Sequence, residues 1–140
     1  MDQWVYVSRC IVSDTDIQNA IDNIIKVGQS RNMDLHVTGA LFFTGTHFAQ
    51  LLEGPPGGMM ALRSSILADP RHKDVLTVLK GRIEQRRFHG WSLAYSGPSL
   101  VLSRAVHRCI RERDPGKDQS AAALVDLMVE IAAQSGLQGE

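Results

Sequence analysis

Two apolar segments joined by a very short turn are the feature that most restricts the fold of this chain. Residues 36–43 and 46–53 are rich in apolar side chains, and only Thr44-Gly45 separates them. Such a pair predicts an antiparallel β-hairpin. The first segment is almost entirely apolar, which indicates a strand buried on both faces. The hairpin therefore belongs to a sheet that is covered on both sides.

The segments around the hairpin alternate between strand and helix patterns. Strand patterns are present at residues 4–9, 75–83 and 91–95. Helix patterns run from a capping-box-like Ser13 and Asp16 to about Arg31, and over residues 59–68 after the glycine- and proline-rich residues 54–58. Asn32 is expected just past the end of the first helix. The order β-α-β-β-α-β-β predicts an α+β fold, a ferredoxin-like β-α-β-β-α-β sheet with an extra fifth strand.

The part beyond Ser96-Gly97-Pro98 is expected to be helical. One helix is predicted over residues 100–111 and another around the apolar stripe of residues 124–131, with a break at Asp114-Pro115-Gly116. These two C-terminal helices should lie on the open sheet face or in a subunit interface. We therefore divide the chain into a domain of residues 1–97 and a helical extension of residues 98–140.

Composition excludes several classes of protein. The 140 residues have 44% hydrophobic and 21% charged residues and a formal net charge of zero, which is typical of a soluble globular protein. A general attraction to nucleic acid or to an anionic membrane is not expected, and a homo-oligomer is easily accommodated. No segment approaches the ~18 apolar residues that a membrane span needs, and no signal peptide is apparent. We expect a cytoplasmic protein.

The common enzyme and metal motifs are missing from the sequence. The five histidines and two cysteines are scattered without ligand spacing, so no metal site is predicted. Residues 54–58 lack the Lys-Ser/Thr of a phosphate loop, and no nucleophile elbow is present. The cationic group of Arg82, Arg86, Arg87 and His89 is interpreted as a solvated edge or an ion-pair group rather than an RNA site. We predict that the chain is not an enzyme.

Two polar residues occupy positions where a core is expected. Tyr6 lies in the first strand, and Gln50 lies between Phe48 and Leu52 on a strand face that should be buried. A buried glutamine without hydrogen-bond partners costs about 1–3 kcal/mol. The first and third strands of a ferredoxin-like sheet are neighbours, so Tyr6 is a candidate partner of Gln50. From spacing alone, the pair is either a functional site or a contact that only fixes the core.

Five segments together resemble one family. In chain order they read VYVS at residues 5–8, RNMDLHVTGALFF at 31–43, HFAQLLEG at 47–54, DPRHKDV at 69–75 and RRFHGWSL at 86–93. They resemble the BLUF family, sensors of blue light using FAD, over about residues 4–97. The resemblance implies a photoreceptor with the FAD ring between the two helices, edge-on to the sheet.

The resemblance also implies roles for individual residues. Tyr6 and Gln50 would form the light switch, with Gln50 between Tyr6 and the flavin N5/O4 edge, and Asn32 would hydrogen-bond the polar edge of the flavin. The ring would pack against four apolar residues, Ile24, Ile25, Leu41 and Phe48. Arg71 and His72 would flank the flavin and its phosphate tail.

One position departs from the family pattern. Trp91 matches, but Leu93 replaces the methionine that many members carry. The family passes its signal along this strand, and leucine accepts no hydrogen bond, so Leu93 is expected to act by packing. Signalling would reach a separate, unknown regulator protein through the fifth strand and the C-terminal helices. A small flavoenzyme and a ligand-binding module without photochemistry are the alternatives.

Overall fold

A computed structural model describes residues 1–89, 94–97, 99–112 and 117–134 of the chain. The strands are β1 (Asp2–Cys10), β2 (Thr38–Phe43), β3 (His47–Gly54), β4 (His72–Arg82) and β5 (Ala94–Ser96). The helices are α1 (Ile17–Asp34), α2 (Pro56–Ala68), α3 (Leu100–Arg111) and α4 (Lys117–Gln134). No helix in these ranges is long and apolar enough to cross a membrane.

The strands form one sheet in the order β4-β1-β3-β2-β5. The first four strands pair antiparallel, and β5 joins the free edge of β2 in parallel. This is the ferredoxin-like order with a fifth strand, so the predicted α+β fold is confirmed. The predicted neighbours β1 and β3 place Tyr6 directly opposite Gln50 in their shared register.

The two faces of the sheet are covered by different pairs of helices. Residues Val5, Val7, Ala49 and Leu51 alternate towards α3 and α4 and share one apolar core with Leu102, Val106, Leu124 and Met128. The intervening residues face α1 and α2 in two smaller clusters. Of the two predicted placements for the C-terminal helices, the structure therefore has them on the sheet face. The boundary near residue 97 stays a prediction.

The first helix is longer than the sequence pattern predicted. It continues to Asp34, so Asn32 lies inside the helix and not past its end. The backbone N–H groups of Leu35, His36 and Val37 satisfy the last carbonyls, and His36 takes the left-handed conformation with φ 58°. Asn32 is only 1% exposed, so its burial against the rest of the molecule outweighs the low helix propensity of asparagine.

The entry to α2 brings two parts of the backbone unusually close. Contrary to the sequence expectation of a start near Met59, α2 begins at Pro56, a residue favoured at the first helical position. A Cβ atom on Gly58 would lie 2.5 Å from the carbonyl oxygen of Leu35, just after α1. Glycine is therefore required for this approach, which fixes the start of α2 against the end of α1.

Candidate functional site between the first two helices

A cleft between α1 and α2 has the sheet as its floor. Four lining residues of α1, and three of α2 with the residue that follows it, recur at spacing i, i+3, i+4 and i+7, which is one helical face. They are Ile24, Val27, Gly28 and Arg31 of α1, and Leu62, Ser65 and Ile66 of α2 with Asp69 directly after it. The other lining residues are Tyr6, Asn32, Leu41, Phe48, Gln50, Arg71 and His72.

Tyr6 and Gln50 form a buried hydrogen bond at the floor of the cleft. The Tyr6 hydroxyl donates to Gln50 Oε1 at 2.5 Å, and the two residues are 4% and 6% exposed. Trp4 supports Tyr6, with ring centroids 4.6 Å apart, and donates from its Nε1 to Thr77 Oγ1 at 3.0 Å. The orientation of Tyr6 is therefore fixed both by packing and by its partner.

The Tyr6 hydroxyl is held in its protonated form. Burial raises the pKa of Tyr6 well above its ordinary value, and the negative charge of Asp69 raises it further. A protonated phenol is a hydrogen-bond donor, so Gln50 must present its amide oxygen to Tyr6. The Nε2 end of the same amide is then left for the cleft that Gln50 lines.

Asp69 and Arg71 form an ion pair at the wall of the cleft. The Arg71 Nε and Nη2 donate to the carboxylate at 2.6–3.2 Å, and Nη1 donates to Asn23 Oδ1 of α1 at 2.9 Å. These hydrogen bonds lower the pKa of Asp69 and raise that of Arg71. Arg71 therefore bridges the end of α2 to α1 while its positive charge is largely balanced.

His72 is anchored through both ring nitrogens. Nε2 lies 2.7 Å from the Ile66 carbonyl oxygen, which can only accept, so Nε2 carries a proton and donates. Nδ1 lies 2.7 Å from Ser8 Oγ, and in the neutral ring it accepts the Ser8 hydroxyl proton. The ring packs edge-on near Tyr6 and Phe48 at centroid distances of 6.1 and 6.4 Å. His72 thus shapes the cleft wall by packing.

All but one of the predicted cofactor-binding residues line this cleft. The exception is Ile25 of α1, which packs against the apolar cluster that contains Ile21 and Leu41. Trp91 and Leu93 lie outside the described residues. In the part that is described, no group of three or more His, Cys, Asp and Glu side chains is placed to hold a metal ion.

Sequence reasoning missed the remaining lining residues on the two helices. Val27, Leu62 and Ile66 are apolar but were not assigned to the site. Gly28, Arg31, Ser65 and Asp69 are not apolar, so an apolar stripe did not reveal them. Their signal was the helical spacing itself, because each follows Ile24 or Leu62 at i+3, i+4 or i+7. A search for the helix face, rather than for the apolar residues on it, would have found them.

The cleft fits a flat, partly polar ring system such as the flavin of FAD. Ile24, Leu41 and Phe48 supply apolar surface for the ring faces. Asn32 and Gln50, 1% and 6% exposed, supply amide groups at the inner end for a polar edge. A binding site of this kind combines apolar walls with a few placed polar groups.

One family and two named relatives match parts of this sequence. Residues 1–94 match the family BLUF, described as sensors of blue-light using FAD. The blue light- and temperature-regulated antirepressor BluF of Escherichia coli (strain K12) is 35% identical over 82 residues, 59% of this chain and 20% of the relative. A photoactivated adenylate cyclase subunit beta of Euglena longa is 39% identical over 81 residues, 57% of this chain and 9% of the relative. The chain thus matches only a minor part of each.

Two solved structures match over most of both chains. The dark-state structure of BlrB, a BLUF protein, has a TM-score of 0.75 at 30% identity, covering 95% of this chain and 96% of that one. The photo-activated state of BlsA has a TM-score of 0.74 at 18% identity, over 92% and 95% of the two chains, which is a likeness of fold. The family match over residues 1–94 and the agreement with BlrB lead to one conclusion: this chain belongs to the BLUF family, the sensors of blue light using FAD.

Proposed function

We propose that the Tyr6–Gln50 hydrogen bond is the switch of this blue-light sensor. The observation that carries the proposal is a buried hydroxyl-to-amide bond at 2.5 Å on the floor of the cleft that fits the flavin. When bound, FAD supplies the absorption of blue light and an excited state that takes up an electron. The neutral phenol of Tyr6 is a suitable nearby donor of an electron and a proton.

The amide of Gln50 gives the pair two arrangements. Its oxygen accepts and its nitrogen donates, so rotating the amide exchanges the end that faces Tyr6 for the end that faces the cleft. In the arrangement described here Tyr6 donates to Oε1. After rotation the Nε2 group would donate to the Tyr6 oxygen, and Oε1 would face the cleft. A change of amide tautomer exchanges donor and acceptor in the same way.

We further propose roles for the other lining residues. Ile24, Leu41 and Phe48 would pack on the ring, and Ile25, also on α1, would support them through the apolar cluster that contains Leu41 and Phe48. Asn32 would hydrogen-bond the polar edge. Arg71 and His72 would flank the ring and its phosphate tail, with Asp69 holding the Arg71 guanidinium in place.

The output is proposed to be a protein contact and not an enzymatic reaction. Residues 1–97 would form the sensor domain and residues 98–140 a helical extension, with the signal leaving through Trp91, Leu93 and the C-terminal helices. The Escherichia coli relative is named an antirepressor, which supports a regulator protein as the partner. We also propose a homo-oligomer in the cytoplasm, with no nucleic-acid or membrane partner.

Absorption spectra of the purified protein in the dark and under blue light test the proposal. We expect a yellow protein whose flavin band shifts reversibly to the red. A protein that binds no flavin, or one with no reversible shift, would contradict the proposal. Rapid bleaching of the bound flavin by NADH would instead favour a flavoenzyme.

A further inference from the structure

Glu53 is a fully buried carboxylate at the end of β3, the strand that carries Gln50. Its exposed fraction is 0%, and by alternation along the strand it lies on the sheet face of Ala49 and Leu51, opposite the cleft. Removing a carboxylate from water is costly unless its oxygens are paired. An apolar residue would fill this position at lower cost if packing were its only role, so the contacts of this carboxylate need an explanation.

One oxygen of Glu53 holds the segment that follows β4. Oε1 accepts the backbone N–H of Arg87 at 2.8 Å and that of Phe88 at 3.2 Å. Oε2 has no hydrogen-bond donor within the described residues, and the Arg87 guanidinium lies 3.9 Å away. Burial raises the pKa of Glu53, while the two N–H donors and the nearby guanidinium groups oppose that shift.

Arg86 fastens the same segment to the sheet from the other side. Its Nη1 donates to Thr38 Oγ1 at 2.8 Å and to the Glu53 carbonyl oxygen at 2.9 Å, and its Nη2 donates to the His36 carbonyl oxygen at 2.7 Å. Phe88 is 0% exposed and belongs to the core formed with α3 and α4. Residues 86–88 are therefore attached to β2, to β3 and to the helical layer at once.

We propose that Glu53 is a positioning residue of the light response, because it ties the strand that carries Gln50 to the segment of residues 87–88, which leads towards Trp91 and Leu93. Gln50 and Glu53 lie three residues apart on one strand and face opposite sides of the sheet. A shift of β3 caused by the exchange at Gln50 would change the distance from Oε1 to the two N–H groups. The Phe88 bond is already 3.2 Å long, so a small displacement weakens it.

This inference rests on the proposed light switch, and the two can be tested separately. Hydrogen–deuterium exchange of the Arg87 and Phe88 backbone amides, read in the dark and under blue light, measures the attachment itself. In the native chain we expect slow exchange in the dark and faster exchange in the light, together with the red shift. A native chain that shifts to the red with no change at these two amides would overturn the inference.

Substitutions show whether Glu53 is responsible for the protection. Glu53→Ala removes the acceptor, so both amides should exchange about tenfold faster in the dark and lose their light–dark difference, while the red shift remains. Glu53→Gln keeps an acceptor oxygen and should restore most of the protection. Glu84→Ala, which removes an exposed carboxylate from the same segment, should match the native chain.

The remaining outcomes of the exchange and absorption measurements also decide for or against the inference. A native light–dark difference retained in Glu53→Ala, or equal loss in Glu53→Gln and Glu53→Ala, would overturn the role of the acceptor oxygen. A variant that does not fold leaves the native-chain comparison as the deciding measurement. A native chain without a red shift would overturn the proposed switch, and the dark exchange of the Glu53 variants would then still test the attachment alone.

Discussion

The two faces of the sheet are formed by the same strands but differ in what they bury. Towards α3 and α4 the strands present apolar side chains that form one continuous buried core. Towards α1 and α2 the apolar residues divide into two clusters, and Tyr6 of one cluster bonds Gln50 at the floor of a cleft. The face towards α3 and α4, here called the closed face, therefore supplies stability. The face towards α1 and α2, the open face, is left to hold a ligand and a polar pair.

Breaking the polar pair should have the largest effect, and it should be on function rather than on folding. Tyr6→Phe removes the hydroxyl that donates to Gln50. Gln50→Leu removes the amide, which carries both an acceptor oxygen and a donor nitrogen. We expect both variants to bind flavin and to lose the red shift completely. Absorption spectra before and after blue light measure this outcome.

A matched control for this pair lies next to it. Thr77→Val removes the acceptor of the Trp4 Nε1–H but leaves Tyr6 and Gln50 intact. It should cost about 1–3 kcal/mol of stability, because a buried donor loses its partner, and it should keep the red shift. A red shift retained in Tyr6→Phe, or lost in Thr77→Val, would contradict the assignment of the switch.

The closed face should respond in the opposite way. Leu102 is 0% exposed in the core between α3 and the sheet. Leu102→Ala should lower the free energy of unfolding by about 2–5 kcal/mol because it leaves a cavity, while the folded fraction keeps its red shift. Urea denaturation followed by circular dichroism measures the loss. The control is Leu100→Ala, since Leu100 is 67% exposed and its truncation should change stability by at most about 0.5 kcal/mol.

The sequence predicted the order of the strands, the alternation of their faces and the Tyr6–Gln50 contact, but it left open whether the two C-terminal helices cover the sheet or lie in a subunit interface. Alternation within residues 46–53 separates Ala49 and Leu51 from Gln50, and the strand order follows from the succession of elements. Local pattern could not predict that Asn32 lies within α1, because the extra turn depends on burial against other parts of the chain. The sequence also showed Arg86 only as a cation, whereas its hydrogen bonds join residues distant in the chain.

A contact between His47 and His107 joins the hairpin to α3, and it should give the smallest effect. Their ring centroids lie 5.0 Å apart, and the Thr46 hydroxyl lies 2.8 Å from His47 Nδ1. Partial burial lowers the pKa of His47, and the positive charges of His107 and Arg9 lower it further. The folded state therefore binds this proton less readily than the unfolded state.

The sign of the pH dependence follows from that difference. The unfolded chain takes up a proton on His47 near pH 6.5, so stability falls as the pH drops below about 6.5 and stops falling once the folded form also protonates. Because the site is partly exposed, the midpoint of thermal unfolding should fall by only about 1–2 °C between pH 7 and pH 5.5 from this residue. His47→Gln should remove that part of the pH dependence, as measured by thermal unfolding of the variant and the native chain at both pH values. An unchanged pH profile in His47→Gln would contradict the assignment of this pH dependence to His47.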